Sequence, residues 1–446
     1  MRFDRSVTSI YDGEKKITMI SLVIPLLMQH IFTQLYGTAN TILLSGYSGA
    51  AVSASSIANQ VLDISVVMMT MVTTGTVILS SIELGAKDRK KAARYAGTGF
   101  FTVVAVGIFL GSINFFAAKP LLTFMNLEGE TLALACKYYR VRAMFLPITG
   151  LLGFFNQLLI CNGLSKFTLV VGVSSNIINF LLSYAALYSG VDIMSPISRV
   201  GLAAGIAQFI GIAISLSFFI KNRCPIRFAF TLRMMPKILK LGIPAAMVSL
   251  MYRVAQTVTT SFVASMGDDV INTKVFINNI VAFVPLIGYS IGSANMVFMG
   301  RYKGACDMEK ANITHRQNRA LAFCCNLVLS TLVLIFHRPL MTMFTSDVEL
   351  IDAAGIIFLI DIFVQLPRAI NNISESSLSA NGDVKITFFT STLSCWIGSV
   401  GLSYVLCVVM NMGLVGLWLA FVADETIKSI IYIFRWRSGK WKTIDV

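Results

Sequence analysis

Long apolar segments without a charged residue dominate the chain. Asp, Glu, Lys and Arg are missing from residues 17–62, 64–82, 95–118, 143–165, 167–191, 200–220, 275–300 and 386–423. Most of these runs reach the roughly 20 residues that a helix needs to cross the hydrocarbon core of a bilayer. Their apolar positions do not alternate with period two, and backbone groups in lipid must then be satisfied within helices. The pattern predicts an all-α integral membrane protein.

We predict twelve transmembrane helices. The 46-residue run at 17–62 and the 38-residue run at 386–423 must each hold two crossings, because turn residues at 45–49 and 411–416 interrupt them. The first apolar stretch lacks a small-residue cleavage site and is expected to be a retained helix rather than a signal peptide. The predicted helices lie near 17–45, 50–83, 92–117, 131–160, 165–190, 200–220, 240–266, 271–300, 311–336, 350–380, 386–410 and 413–435.

Composition and charge placement agree with a membrane protein. Of the residues, 56% are hydrophobic and only 13% are charged, against about 25% charged in an ordinary soluble domain. The net charge of +14 is distributed asymmetrically, since 27 of the 36 Lys and Arg lie in the tails and loops predicted on one face, counting the segment from Lys428 onward. The positive-inside rule makes that face cytoplasmic. We therefore expect a multi-pass cell-membrane protein with both termini inside, in contact with the lipid bilayer and not with nucleic acid.

Cysteine and histidine placement argues against metal binding and catalysis. The eight cysteines have no metal-type spacing, and most lie in predicted spans, where cysteine behaves as a small hydrophobe. The three histidines (30, 315, 337) are far apart and have no acidic cluster of ligand spacing beside them. We expect reduced packing cysteines, no metal site and no enzymatic activity.

An internal repeat sets the architecture. A single offset of 219 residues aligns motifs without a gap over about 140 residues, from Pro25 on Pro244 to Thr168 on Thr387. Six predicted spans separate equivalent positions, so the two halves enter the membrane in the same orientation, as in transporters built from parallel repeats. We expect a six-helix N-lobe at 1–220, a basic cytoplasmic linker at 221–240 and a six-helix C-lobe at 241–446.

Several stretches occur in a family-specific order. The second and eighth predicted helices run into ELGAKDRKKA and YKGACDMEKA, and the fourth and tenth run into ICNGLSKFTLVVGVSSNIINFLLSY and SANGDVKITFFTSTLSCWIG. The sixth helix begins with VGLAAGIAQFIG, and the last contains GLWLAFVADETIKSIIYIFRWRSGKWKT. Over nearly the whole chain these motifs and the repeat resemble the multidrug and toxic compound extrusion (MATE) family of the flippase superfamily.

The resemblance implies a function. It implies a secondary active antiporter that exports amphipathic, often cationic compounds by alternating access, driven by entry of protons or sodium ions bound to membrane carboxylates. No cofactor beyond that ion is implied, and we expect the chain to act on a small-molecule substrate as a monomer. The alternative within transport is a flippase or transporter of a lipid-linked or anionic substrate, which Arg253 and Arg368 favour because guanidinium groups pair well with phosphate and carboxylate.

The chain departs from the family at the usual coupling carboxylates. Asn40 stands where the first helix of many members has Asp, and the fifth helix keeps Asn176 and Asn179 but has Ser183 in place of the acid. Arg368 stands where one subfamily has Asp in the tenth helix. The amides are retained as candidates, and the coupling acid must be sought elsewhere.

Ionisable residues at mid-membrane depth are the leading candidates, because they are costly there and usually face a cavity or a partner. In the second half these are Arg253 and a polar face of the tenth helix, on which Asp361, Arg368 and Glu375 follow helical spacing. Asp424 and Glu425 lie at the centre of the last helix, and we predict Asp424 to be the best single candidate. The alternative is a salt-bridge network that only clamps the lobe.

The first half offers fewer candidates. Asp63 is its only mid-depth acid, and it is either functional or paired with Arg142. Pro25 and Pro244 lie in the leading helix of each half, where loss of a backbone hydrogen bond permits a kink, so we predict a role in gating.

Overall fold

The computed structural model describes residues 8–12, 15–125, 127–188, 194–264, 266–345 and 347–445. Those residues form a short antiparallel hairpin, β1 and β2, followed by sixteen α-helices. The strands are β1 Ser9–Asp12 and β2 Lys15–Thr18. The helices of the first half are α1 Met19–Tyr47, α2 Gly49–Gly85, α3 Arg89–Phe116, α4 Ala118–Phe124, α5 Gly129–Met144, α6 Leu146–Cys161, α7 Ser165–Tyr188 and α8 Pro196–Lys221.

The second half has the same number of α-helices. They are α9 Met235–Ala264, α10 Asp268–Val281, α11 Leu286–Gly304, α12 Met308–Ile335, α13 His337–Met341, α14 Val348–Ala380, α15 Val384–Ser394 and α16 Gly413–Arg437. After α15 the chain continues as π-helix over Cys395–Leu402 and Tyr404–Val409, and a 3₁₀ turn at Lys440–Thr443 follows α16.

The twelve-helix fold class is confirmed. Within the described residues nine helices are long and apolar enough to cross a membrane, and two bent pairs, α5 with α6 and α10 with α11, are two further spans. The last span is α16. Its apolar character is interrupted by Asp424, Glu425 and Lys428, so only its length and its place in the repeat identify it.

The bends correct two predicted spans, 131–160 and 271–300, each of which was expected to be one continuous helix. Each bent pair turns by 51° at its break. Pro147 is at the start of α6, and Pro285 directly precedes α11. Proline has no N–H to donate to the preceding turn and its ring crowds that turn, so a proline at each break favours the bend.

Local backbone geometry repeats with the predicted offset. Asp88 caps α3 by accepting from the Lys91 N–H at 2.9 Å, and Asp307 caps α12 by accepting from the Lys310 N–H at 3.1 Å. The Lys310 ammonium also holds the pKa of the Asp307 carboxyl below its usual value. Gly163 and Gly382, again 219 apart, both have positive φ (73° and 90°), which lets the chain leave a helix in the left-handed conformation. The two halves are therefore structural repeats.

The chain separates into two compact units. One contains Ile20–Leu84 and Asp88–Ala246, and its apolar core packs around Tyr139, Leu122 and Leu62. The other contains Met247–Val446, Gly85–Lys87 and the described residues up to Met19, and its core packs around Trp418 and Phe358. We call the second one the C-terminal unit. None of the eight cysteines, all of which lie among the described residues, forms a disulfide.

Candidate functional site: a buried charge cluster

Two helices of the C-terminal unit, α14 and α16, bring most of the predicted charges together. Arg368 Nε lies 3.0 Å from Glu425 Oε1, and the two side chains are only 15% and 7% exposed. Asn371 Nδ2 donates to Glu425 Oε2 and to the Glu425 carbonyl oxygen, both at 2.8 Å. Glu425 is thus held by one cation and one amide, as a buried charge requires.

Asp424 has a different set of partners. Lys428 Nζ, one helical turn away on α16, lies 2.9 Å from Asp424 Oδ2. The hydroxyl of Ser394 donates to Oδ1 at 2.7 Å, and the hydroxyl of Ser399 donates to Oδ2 at 2.6 Å. Asp424 is 1% exposed. These donors all stabilise the ionised carboxylate.

The π-helical stretch explains how two serines five residues apart reach one carboxylate. In a π-helix the backbone bonds run from residue i to i+5, so Ser394 and Ser399 lie nearly one above the other. Gly398 faces α16 so closely that a Cβ there would lie 2.8 Å from Asp424 Cα. The missing side chain permits close approach of the two helices, a common use of small residues in membrane proteins.

Asp361, in the N-terminal half of α14, is also buried and hydrogen-bonded. Trp418 Nε1 donates to Asp361 Oδ1 at 3.1 Å, and Gln365 Nε2 donates to Oδ2 at 3.1 Å. Both partners are neutral, and Asp361 is 4% exposed. The hydrogen bonds that hold Asp361 therefore come from neutral donors, and Arg368 is the cation whose charge acts on it.

Glu375 is the exception among the acids of the cluster. Its carboxylate forms no hydrogen bond and no ion pair with any residue that the structure describes. The charges that act on it most strongly are those of Lys428 and Glu425. The cluster contains four acidic side chains and two basic ones, so carboxylates are in surplus. The acids are Asp361, Glu375, Asp424 and Glu425, and the cations are Arg368 and Lys428.

Lys428 does not lie on the cytoplasmic face, where its place in the basic C-terminal segment led us to expect it. The structure places it inside the unit, 6% exposed, with Nζ 6.0 Å from the centre of the Tyr252 ring. A lysine four residues after Asp424 is the usual spacing of a helical ion pair, and that spacing was the available signal. Ser394, Ser399 and Trp418 were also missed, because hydroxyl and indole groups occur throughout apolar helices.

The remaining candidates lie elsewhere. Arg253 is exposed on α9, next to Tyr252. In the other unit Asp63 is exposed on α2, and Nε and Nη1 of Arg142 form no hydrogen bond with a described residue. Pro25 and Pro244 lie inside α1 and α9.

The amide candidates of the first half form a smaller polar group. Asn179 Nδ2 donates to the Tyr36 hydroxyl at 2.6 Å, and Ser183 donates to Asn179 Oδ1 at 3.2 Å. Asn40 Oδ1 is buried without a hydrogen-bond partner among the described residues, and Asn176 is half-buried on α7. The structure therefore joins Asn179 to Tyr36 and Ser183.

Twelve spans in two repeats, with ionisable groups buried inside a helical unit, define a multi-pass membrane transporter. The MatE family model matches residues 25–185 and 244–405, two ranges whose starts are 219 residues apart. The uncharacterized transporter YisQ of Bacillus subtilis (strain 168) is 30% identical over 443 residues, covering 96% of each chain. The chain belongs to the MATE family.

Other relatives and solved structures agree. The probable multidrug resistance protein NorM of Thermotoga maritima is 24% identical over 440 residues, covering 95% of this chain and 92% of the relative. An outward-facing multidrug resistance MATE transporter of the MOP superfamily superposes with a TM-score of 0.87 at 17% identity, covering 96% of both chains. A MOP superfamily transporter from Pyrococcus furiosus, described as having a binding pocket of reverse polarity, superposes with a TM-score of 0.86 at 18% identity and 96% coverage of both. These likenesses establish the shared fold.

Proposed function

We propose that this protein is a secondary active antiporter that exports amphipathic organic compounds by alternating access, coupled to entry of protons or sodium ions. Relatives named as probable multidrug resistance proteins support the substrate class. In this proposal the chain works as a monomer in the cell membrane, with both termini and the basic loops in the cytoplasm.

The surplus of carboxylates in the cluster, which includes the half-buried Glu375, carries the coupling proposal. Arg368 neutralises Glu425 and Lys428 neutralises Asp424, whereas Glu375 has no partner among the described residues. An uncompensated carboxylate in a low-dielectric interior attracts a cation strongly. Glu375 is the group on which a proton or sodium ion would first be held.

Asp424 is proposed as the acid that responds to the change of access state. Its partners come from both sides of a helix contact, Lys428 from α16 and the two serines from α15 and the π-helical stretch. If α16 shifts against that stretch, the carboxylate loses donors that favour its charged form and then takes up a proton. The reverse shift would release the proton.

The test compares Asp424→Asn with Asp63→Asn in proteoliposomes, using the fluorescent amphipathic cation ethidium as the probe. Asp424→Asn should abolish gradient-driven ethidium transport while ethidium binding stays measurable, and Asp63→Asn should do less harm. Because Asp424→Asn leaves Lys428 unpaired, the double variant Asp424→Asn/Lys428→Gln serves as the folding control and should be equally inactive. If the Asp424→Asn variant transports ethidium normally and the Asp63→Asn variant does not transport it, the coupling site lies in the first half.

The alternative substrate class is a lipid-linked or anionic compound. The exposed guanidinium of Arg253 favours it, since such a group suits phosphate and carboxylate. Competition of ethidium binding by an anionic lipid but not by other organic cations would favour this alternative.

A further inference from the structure

A polar seam runs through the interior of the C-terminal unit, between α11, α12 and α14. We call this set the interior seam: Asn295, His315, Asn318, Asn326, Gln365 and Asn372. All except the half-buried Asn372 are at most 6% exposed. Polar side chains inside a membrane-spanning unit are costly unless they are hydrogen-bonded, so their alignment across three helices requires an explanation.

At the end of the interior seam near the basic loops, most polar side-chain atoms are hydrogen-bonded. His315 Nδ1 lies 3.0 Å from the Ser377 hydroxyl, which also accepts from Asn295 Nδ2 at 2.8 Å. Asn318 Nδ2 donates to Asn295 Oδ1 at 2.9 Å. The ring of His315 stacks on Trp436 with 4.0 Å between centroids, which covers this end.

The other end of the interior seam reaches the charge cluster. Asn326 Nδ2 donates to the Gln365 carbonyl oxygen at 3.1 Å. Gln365 Nε2 in turn donates to the Asp361 carboxylate at 3.1 Å. Asn318 and Asn326 are eight residues apart on α12, about 12 Å along the helix axis. The hydrogen bonds at the two ends are therefore separated by a gap.

Four polar atoms of the interior seam lack a hydrogen-bond partner. Asn372 Nδ2, Asn326 Oδ1, Gln365 Oε1 and His315 Nε2 are buried and form no hydrogen bond with any described residue. The first two face the same point, because a Cβ on Gly288 would lie 3.3 Å from Asn372 Nδ2 and 3.8 Å from Asn326 Oδ1. A donor and an acceptor that share a small polar space are suited to a bridging water molecule, which accepts from one and donates to the other.

We propose that the interior seam holds a chain of water molecules that carries protons between the charge cluster and the basic end of the unit. Gly288 and Gly292 leave room on α11, since a Cβ on Gly292 would meet only ordinary contacts of 3.4 Å or more. The delivery of protons rests on the proposed coupling, whereas the presence of water does not.

The test measures access of the silver ion, a small aqueous cation, to single cysteines in proteoliposomes of mixed orientation. The eight native cysteines are first replaced by alanine, and the variant is checked for monodisperse elution. Asn326→Cys places a thiol in the interior seam, and Ala354→Cys places one at an equally buried position (both parent residues 0% exposed) in the apolar core. After exposure to silver the protein is denatured, and the thiols that silver has not blocked are labelled with a maleimide. The loss of maleimide labelling measures how much of each thiol silver has blocked.

We expect silver to block the Asn326→Cys thiol at least tenfold faster than the Ala354→Cys thiol. Adding Gly288→Ala should slow the first reaction, because the new methyl group occupies the point that the two amides face. Gly153→Ala is the control, since nothing lies within 4 Å of a Cβ at Gly153. Equal rates at the two thiols, or fast blocking that Gly288→Ala leaves unchanged, would overturn the proposal. Silver access to the two thiols does not depend on transport. A failure of the proposed antiport mechanism would therefore appear in the ethidium transport assay and not in these rates.

Discussion

Removing one partner of the Arg368 and Glu425 ion pair should destabilise the C-terminal unit far more than removing both. The Nε to Oε1 distance is 3.0 Å and both side chains are mostly buried. Glu425→Gln removes the carboxylate that the guanidinium contacts, and Arg368→Gln removes the guanidinium that the carboxylate contacts. A buried charge that loses its partner costs about 3–5 kcal/mol of unfolding free energy.

The double variant Arg368→Gln/Glu425→Gln leaves no unpaired charge. We expect its unfolding free energy to lie within about 1–2 kcal/mol of the wild-type value, because replacing a whole buried pair with neutral groups is often nearly neutral. Two single losses of at least about 3 kcal/mol each, less a double loss of at most about 2 kcal/mol, give a coupling energy of at least about 4 kcal/mol, which is larger than the interaction energy of most contacting residue pairs.

Intrinsic fluorescence is a suitable probe for this cycle. All four tryptophans of the chain (396, 418, 436 and 441) lie in the C-terminal unit. Equilibrium unfolding in mixed micelles of dodecyl sulfate and dodecyl maltoside would therefore report on the unit that contains the ion pair. Single variants that each lose less than about 1 kcal/mol, or a double variant that loses the sum of the two, would refute the assignment of a buried, mutually neutralising pair.

Three further predictions concern packing, gating and topology. Gly398→Ala should cost about 1–3 kcal/mol by overpacking against Asp424 in the same unfolding assay, whereas Gly292→Ala, in the same unit and with only ordinary Cβ contacts of 3.4 Å or more, should cost less. Pro244→Ala should slow ethidium transport with little loss of folded protein, and an unchanged rate would make the proline purely structural. Single cysteines at positions 88 and 307 should be labelled by an impermeant maleimide only from the cytoplasm, and those at 128 and 347 only from outside; labelling of 88 from outside would contradict the topology.

Much of the fold was predictable because lipid imposes simple rules on sequence. Charge-free runs and the 219-residue offset located the spans and the repeat. The bends at Pro147 and Pro285 were not expected, since proline is tolerated inside membrane helices and its effect depends on neighbouring packing. The short hairpin β1–β2 also lay outside the prediction, because nothing in the basic N-terminal segment marks a strand strongly.

The sequence predicted which charged residues form the candidate site, but it did not predict which acid pairs with which cation. Helical spacing placed Asp361, Arg368 and Glu375 on one face of α14. Which acid each cation neutralises depends on the register of α16 against α14, and a single sequence does not fix that register. The contribution of Ser394 and Ser399 required the π-helical stretch, whose geometry has no sequence signature comparable to a heptad.

The most direct test of the proposed antiport is transport by the purified chain in liposomes, with proton and sodium gradients imposed separately. We predict that one of the two inwardly directed gradients drives ethidium against its own gradient, and that the other, matched for membrane potential, does not. The driving ion should itself move in the opposite direction to ethidium, and its movement should depend on ethidium. Ethidium movement that only equilibrates across the membrane under both gradients would contradict coupling by the buried carboxylates.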